Sequence, residues 1–195
     1  MKFGKSICSF ILLLLIALTV SVGRADAQKV AVKTNLLYAA TTSPNLAFEF
    51  RTGKKTTLEL GGGMSLWKFG EKTTFKHWAA QPEFRYWFCD AFNGHFLGLH
   101  AHGGQFNVGG VNIPIGNLSD LKDNRYQGYF YGGGLSYGYQ WILGRHWNLE
   151  ASIGGGYARI IYEKFPCANC GQKLDEGVHN YWGITRSTLS LIYVF

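Results

Sequence analysis

The sequence predicts an all-β protein: an eight-stranded antiparallel transmembrane β-barrel of the outer-membrane type, following an N-terminal signal peptide. Three observations carry this. Apolar residues recur at every second position in segment after segment from Val30 onward, and no stretch of useful length keeps a helical period. The apolar face is bulky and aromatic, while the opposite face is small, glycine-rich or charged. A small barrel must be filled by small or mutually compensating side chains and can carry large ones outside. Short connections alternate with long ones, as in barrels with tight turns on one side of a membrane and loops on the other. A sandwich or a lipocalin-like barrel would also alternate, but each turns its apolar face inward.

The segments follow in order. The first runs from Val30 to Tyr38, with Val30, Val32, Leu36 and Tyr38 opposite Lys33 and Asn35. In the second, "NLAFEFR", Leu46, Phe48 and Phe50 oppose Ala47, Glu49 and Arg51. The third sets Leu58, Leu60, Met64 and Leu66 against Glu59, glycines and Ser65. The fourth is the clearest: Trp78, Ala80, Pro82, Phe84, Tyr86 and Phe88 face away from His77, Gln81, Glu83 and Arg85. The fifth, from Phe96 to about Gly104, opposes Leu97, Leu99 and Ala101 to His100 and His102. In the sixth, Tyr129, Tyr131, Leu135, Tyr137, Tyr139 and Trp141 face away from Gly132, Gly134, Ser136, Gly138 and Gln140. The seventh places Trp147, Leu149, Ala151 and Ile153 opposite Asn148, Glu150, Ser152 and Gly154. The eighth is the ending, with Leu189, Leu191, Tyr193 and Phe195 against Arg186, Thr188 and Ser190. Tyr38, Trp67, Trp78, Tyr86, Trp141, Trp147, Tyr181 and Tyr193 fall near strand ends, where a membrane girdle needs them.

Short connections are expected around Gly53-Lys54, Asn93-Gly94 and Gly144-Arg145, and long ones from Asn107 to Asn124 and from Glu163 to Asn180. An even strand number puts both termini on the short-turn, periplasmic side. In lipid every backbone group must be paired, so the eighth strand is expected to close on the first.

Two lysines in Met1–Lys5, an apolar run from Ile7 to Val22 and Ala25-Asp26-Ala27 compose a secretory signal over 1–27, leaving one barrel domain over 28–195. Removing Lys2, Lys5, Arg24 and Asp26 leaves +5 of the formal +7, dispersed and without the basic block that nucleic acid would need.

The segments "KTNLLY", "TTSPNLAFEF", "HWAAQPEFRYWFCDAFNGHFLGLH" and "SYGYQWILGRHWNLEASIGGGYA" resemble a family of small bacterial outer-membrane β-barrels catalogued as a domain of unknown function. The resemblance covers essentially all of 28–195 and brings no catalytic residues. It implies residence in the outer membrane of a double-membraned bacterium, contact with outer-membrane lipids, and a link to fimbrial or other surface proteins. Leu191, Tyr193 and Phe195 resemble the terminal signal that barrel-assembly machinery reads in outer-membrane proteins.

The inward faces offer Lys33, Glu49, Arg51, Glu59, Glu83, Arg85, Glu150 and Arg186, with His100 and His102. Four acids against four bases read as a polar network filling the barrel, since eight strands leave room for side chains and not for a wide channel. Pairing across the turn between Phe88 and His95 sets Glu83 opposite His100, which could serve a general base or satisfy a buried histidine. No serine or cysteine nucleophile is obvious beside them, so the structural role is preferred. Cys167 and Cys170 in "CANC" read as a disulfide in an oxidising compartment; a redox pair and half a zinc site are the alternatives. No cofactor or metal is expected. The glycine runs "LGGGMS" and "SIGGGYA" lack the strand-to-helix setting of a nucleotide loop and suit close strand packing. The function expected is that of a non-enzymatic barrel presenting its loops. A lipopolysaccharide-modifying enzyme and a narrow pore are the alternatives.

Overall fold

The computed structural model describes residues 30–69, 73–109, 124–166 and 173–195. The signal segment and the Cys167/Cys170 pair lie outside the described residues. The elements are β1 (Val30–Asn35), α1 (Leu36–Ala40), β2 (Asn45–Arg51), β3 (Thr56–Phe69), β4 (Thr73–Trp87), β5 (Gly94–Gly109), β6 (Arg125–Ile142), β7 (Trp147–Phe165) and β8 (Asp175–Val194). The eight strands form one closed ring in sequence order, each antiparallel to its neighbours. Closure comes from Ala31 to Asn35 on β1 pairing with Val194 to Ser190 on β8. The Phe195 N–H extends that ladder to the Val30 carbonyl at 2.9 Å.

Side-chain alternation sorts the wall into two faces. Glu49, Glu59, Glu83, Arg85, His100, Glu150 and Arg186 point inward and are buried, while Phe48, Leu60, Phe84, Leu99, Leu135 and Ile153 point outward and are exposed. On β4 and its following turn the outward apolar column runs from Phe88 to Trp78, the length of strand that a tilted crossing of hydrocarbon needs, ~9–11 residues. Above it the same outward parity brings Lys76, Gln105, Gln127, Arg159 and Asn180 on successive strands, a polar border to the belt. The Trp78 indole N–H donates to Gln105 Oε1 at 3.2 Å and the Tyr157 hydroxyl to Asn180 Oδ1 at 2.7 Å, tying the aromatic rim to that border. Such amphipathic rings suit a boundary between apolar and wet surroundings.

The termini and the connections 52–55, 88–93 and 143–146 lie at one end of the ring. That end is floored by Ala31, Trp87, Ala91, Phe92, Phe96, Ile192 and Val194, with the Trp87 and Phe96 rings 4.8 Å apart. Trp87 and Phe96 share the inward parity of Arg85 and Gly98, so the position was readable, although bulk alone argues for the outer face.

Three expectations are corrected. The first strand ends at Asn35, not Tyr38: the Asn35 side chain accepts from the Leu37 N–H at 3.1 Å and caps α1. Tyr38 turns inward instead of joining the girdle, its hydroxyl 2.7 Å from His77 Nε2. The stretch Glu163 to Asn180 is mostly strand, because β7 and β8 continue as a hairpin past the belt, where Glu163, Lys164, Asp175 and Glu176 interrupt the apolar alternation. The wall is therefore uneven. β1 and β2 have 6 and 7 residues, whereas β7 and β8 have 19 and 20.

One irregularity matters for the interior. Gly154 pairs with Arg186 and Gly155 with Ile184, so Thr185 is an extra residue in β8. A bulge of this kind re-aims side chains. Here it turns both Thr185 and Arg186 toward the lumen, where Thr185 Oγ1 meets His100 and Arg186 meets Gln81 and Glu59.

Candidate functional site: the charged lumen

Above the aromatic floor, six strands converge charged side chains on the barrel axis. Lys33 on β1 ion-pairs with Glu49 on β2, with Glu59 on β3 at 3.1 Å and with Glu150 on β7 at 2.7 Å. Arg85 on β4 reaches Glu49 at 3.2 Å, Glu59 at 2.6 Å, Glu83 at 2.5 Å and Glu150 at 2.8 Å. Arg186 on β8 closes the upper side, 2.6 Å from Glu59 and 3.3 Å from Glu83. Two hydroxyls complete the set: Thr57 donates to Glu49, and Ser136 to Glu83. All seven charged groups are buried. Removing one member would strand its partners in a dry interior, which makes the network an all-or-none unit.

Small residues create the room. A Cβ at Gly98 would overlap the Ser136 hydroxyl and stand 2.8 Å from the Glu83 carboxyl carbon, and one at Gly138 would run into the Phe96 ring. At Gly132, Gly134 and Gly156 a Cβ would overlap a backbone carbonyl of the next strand. Those glycines let β6 and β7 approach closely, and Gly156 belongs to the "SIGGGYA" run that suits close packing.

Arg51, expected in this network, is not there. Its guanidinium donates to the Gly53 carbonyl at 3.0 Å and the Lys54 carbonyl at 3.5 Å, bracing the β2–β3 turn. β2 ends at Arg51, so correct parity places it at the rim rather than over the axis. Among the described residues the network thus sets four carboxylates against three cations, with the two hydroxyl donors easing the difference.

Glu83 and His100 are direct register partners, as pairing across the turn predicted. They are not a hydrogen-bonded dyad. Glu83 is engaged by Arg85, Ser136 and Arg186, while His100 Nε2 lies 2.9 Å from Thr185 Oγ1 and its Nδ1 has no partner. A general base needs a free carboxylate or imidazole aimed at a nucleophile, and here the carboxylate is saturated by cations. His102 sits higher, its ring 6.2 Å from that of Phe130 and 5.7 Å from that of His100.

Carboxylate oxygens of Glu49, Glu59 and Glu150 lie within 4.8 Å of one another, a spacing that could hold a metal ion. The Lys33 ammonium already occupies that centre and supplies the positive charge. Above the network a cavity of about 260 Å³ is lined by Lys33, Glu59, Tyr38, His102, Phe130 and Arg186. A wider recess of about 1160 Å³ lies among the upper ends of β3 to β8, its inward-parity lining His77, Phe106, Gly128, Tyr162 and Gly177. The lumen is therefore plugged below and open above. Cys89, at the short-turn end, is an exposed free thiol.

A family model described as a protein of unknown function (DUF3575) matches residues 10–195. No curated protein matches the chain. Among solved structures it is similar to the NMR solution structure of the E. coli outer membrane protein W, at 11% identity and a TM-score of 0.41, over 88% of this chain and 100% of that one.

Proposed function

The chain belongs to the DUF3575 family of proteins of unknown function, and from that premise we propose that it is a non-enzymatic barrel of a bacterial outer membrane, working through its long-loop end by binding. The observation that carries this reading is the pairing of an apolar outer belt with a lumen sealed from below. Lys33, Arg85 and Arg186 lock four glutamates across the axis over a floor containing Trp87 and Phe96. Such an interior suits neither a wide pore nor a reaction that needs a free base. The accessible part of the molecule is then the open recess and the tall β7–β8 hairpin. Its partners in this reading are outer-membrane lipids, the barrel-assembly machinery and surface proteins, fimbrial ones included.

Reconstitution in planar bilayers tests the sealed lumen. The expected result is no stable unit conductance from the wild-type barrel. Reproducible channels would favour the pore. An altered lipopolysaccharide acyl pattern in a deletion strain, restored by wild type, would favour the enzyme.

A further inference from the structure

β8 has one edge that the fold leaves without a strand. β7 pairs with it from Asp175 to Tyr193, yet β1 pairs with it only from Ser190 to Val194. In an antiparallel ladder the N–H and C=O of one residue point to the same side, and the side alternates along the strand. Phe195 bonds toward β1, so the odd-numbered residues below the bulge face β1. The extra residue at Thr185 reverses this, and above it Glu176, Val178, Asn180, Trp182 and Ile184 turn their backbone groups away from β7.

The ends of that edge are capped by side chains. Asn35 donates from Nδ2 to the Ser187 carbonyl at 3.3 Å and accepts the Leu189 N–H at 3.2 Å. The Tyr181 hydroxyl donates to the Ile184 carbonyl at 3.4 Å, and the Asp175 carboxylate accepts the Glu176 N–H at 2.8 Å. Between the caps, Val178, Asn180 and Trp182 meet no strand on that side among the described residues. Trp182 is 76% exposed, more than any other large apolar side chain of the belt. Trp182 lies at the top of the apolar belt, where an open edge has no water to satisfy it.

We propose that this edge is a strand-addition site for an extended polypeptide segment of a second protein. The proposal rests on the reading of the long-loop end as the working face. A row of alternating donors and acceptors is matched by another extended backbone, which lipid tails and glycans do not offer. A second copy of this barrel fits poorly, because two copies inserted the same way up would bring their acidic tips, Asp175 and Glu176, to the same height. The segment that fits has apolar side chains beside Val178, Trp182 and Ile184, and small or polar ones beside Gly177 and Gly183. A basic residue belongs near Glu163, Asp175 and Glu176, three acids beside two lysines, Lys164 and Lys173.

The test uses the full barrel in lipid nanodiscs and a synthetic peptide of alternating valine and threonine ending in lysine, long enough to span Glu176 to Ile184. Amide hydrogen exchange at Val178 and Asn180, above the apolar belt, should slow by at least about tenfold when the peptide binds. The same peptide N-methylated at alternate residues keeps its side chains but loses its donors and should give no protection. Asn180→Pro removes an N–H on the free side and keeps the β7 backbone ladder, giving up the exposed hydrogen bond from Tyr157, so the barrel should stay heat-resistant while peptide protection is lost. If that variant fails to fold, the comparison of the two peptides decides alone. Equal binding of both peptides, binding of neither, or protection of these amides before any peptide is added would overturn the proposal. If a cysteine at Lys173 could not be labelled on intact cells, the surface reading would fail while the nanodisc result stood.

Discussion

Arg85 and Glu150 clasp each other across the lumen. Nη1 donates to Oε2 at 2.8 Å and Nη2 to Oε1 at 3.1 Å, joining β4 to β7 through the middle of the ring. The two parallel bonds use the planar fork that lysine lacks. The same guanidinium lies 4.4 Å from the Phe96 ring centre, so one side chain ties the charged layer to the aromatic floor.

Breaking that clasp should be costly. Arg85→Gln leaves Glu49, Glu59, Glu83 and Glu150 with fewer cations, and loss of one partner in a buried pair costs about 3–5 kcal/mol. Urea unfolding in lipid vesicles should show the loss. The variant should also pass ions where wild type does not. A midpoint unchanged from wild type would remove the network as the plug.

Glu83→Gln and His100→Ala separate structure from catalysis. Glu83→Gln weakens contacts to Arg85, Arg186 and Ser136, a loss of roughly 1–3 kcal/mol. His100→Ala gives up one hydrogen bond, to Thr185, and should cost less. Lipid A should be the same in cells carrying wild type, either variant or a deletion. A lipid change lost with Glu83→Gln in a normally folded barrel would establish catalysis.

Orientation can be read by labelling. Cysteines placed at Lys173 and at Lys54 occupy opposite ends of the ring. An impermeant maleimide on whole cells, with Cys89 replaced by serine, should label the first and reach the second only after permeabilisation. The reverse pattern would invert the barrel.

The glycines should sort by what surrounds them. Gly134→Ala drives a Cβ into the Gly155 carbonyl and within 2.8 Å of the Gly156 Cα, an overpacking that costs roughly 1–3 kcal/mol. Gly144→Ala meets nothing within 4 Å and should be neutral. Equal melting shifts for the two would mean that close approach of β6 and β7 is not required.

The hairpin tip should respond to acid. Lys173 donates to Glu176 and holds its carboxyl below the ordinary carboxylate range. That contact is present above the ordinary value and is lost as the pH falls through the lowered one. An NMR titration should show Glu176 protonating at lower pH than in Lys173→Gln, and coincident titration curves would exclude the contact.

The amino-acid pattern alone carries the strand count, the facing of most side chains and the register that sets Glu83 against His100. Period-2 alternation is a local property, and a one-residue slip would turn every apolar side chain inward, so these features can be read without a structure. It also marked most of the charged interior, because an inward-parity glutamate or arginine inside a small barrel has to find a partner. Parity does not encode height or distance along the axis. Arg51 has the right parity and sits at the rim, Tyr38 leaves its strand for a helical turn, and Trp87 and Phe96 become a floor. Which carboxylate meets which cation depends on residues as far apart in the chain as Glu59 and Arg186, brought together only when the ring closes. The bulge at Thr185 and the unequal strand lengths were likewise decided by tertiary structure. They arise from how neighbouring strands meet, and together they leave the upper edge of β8 without a partner strand.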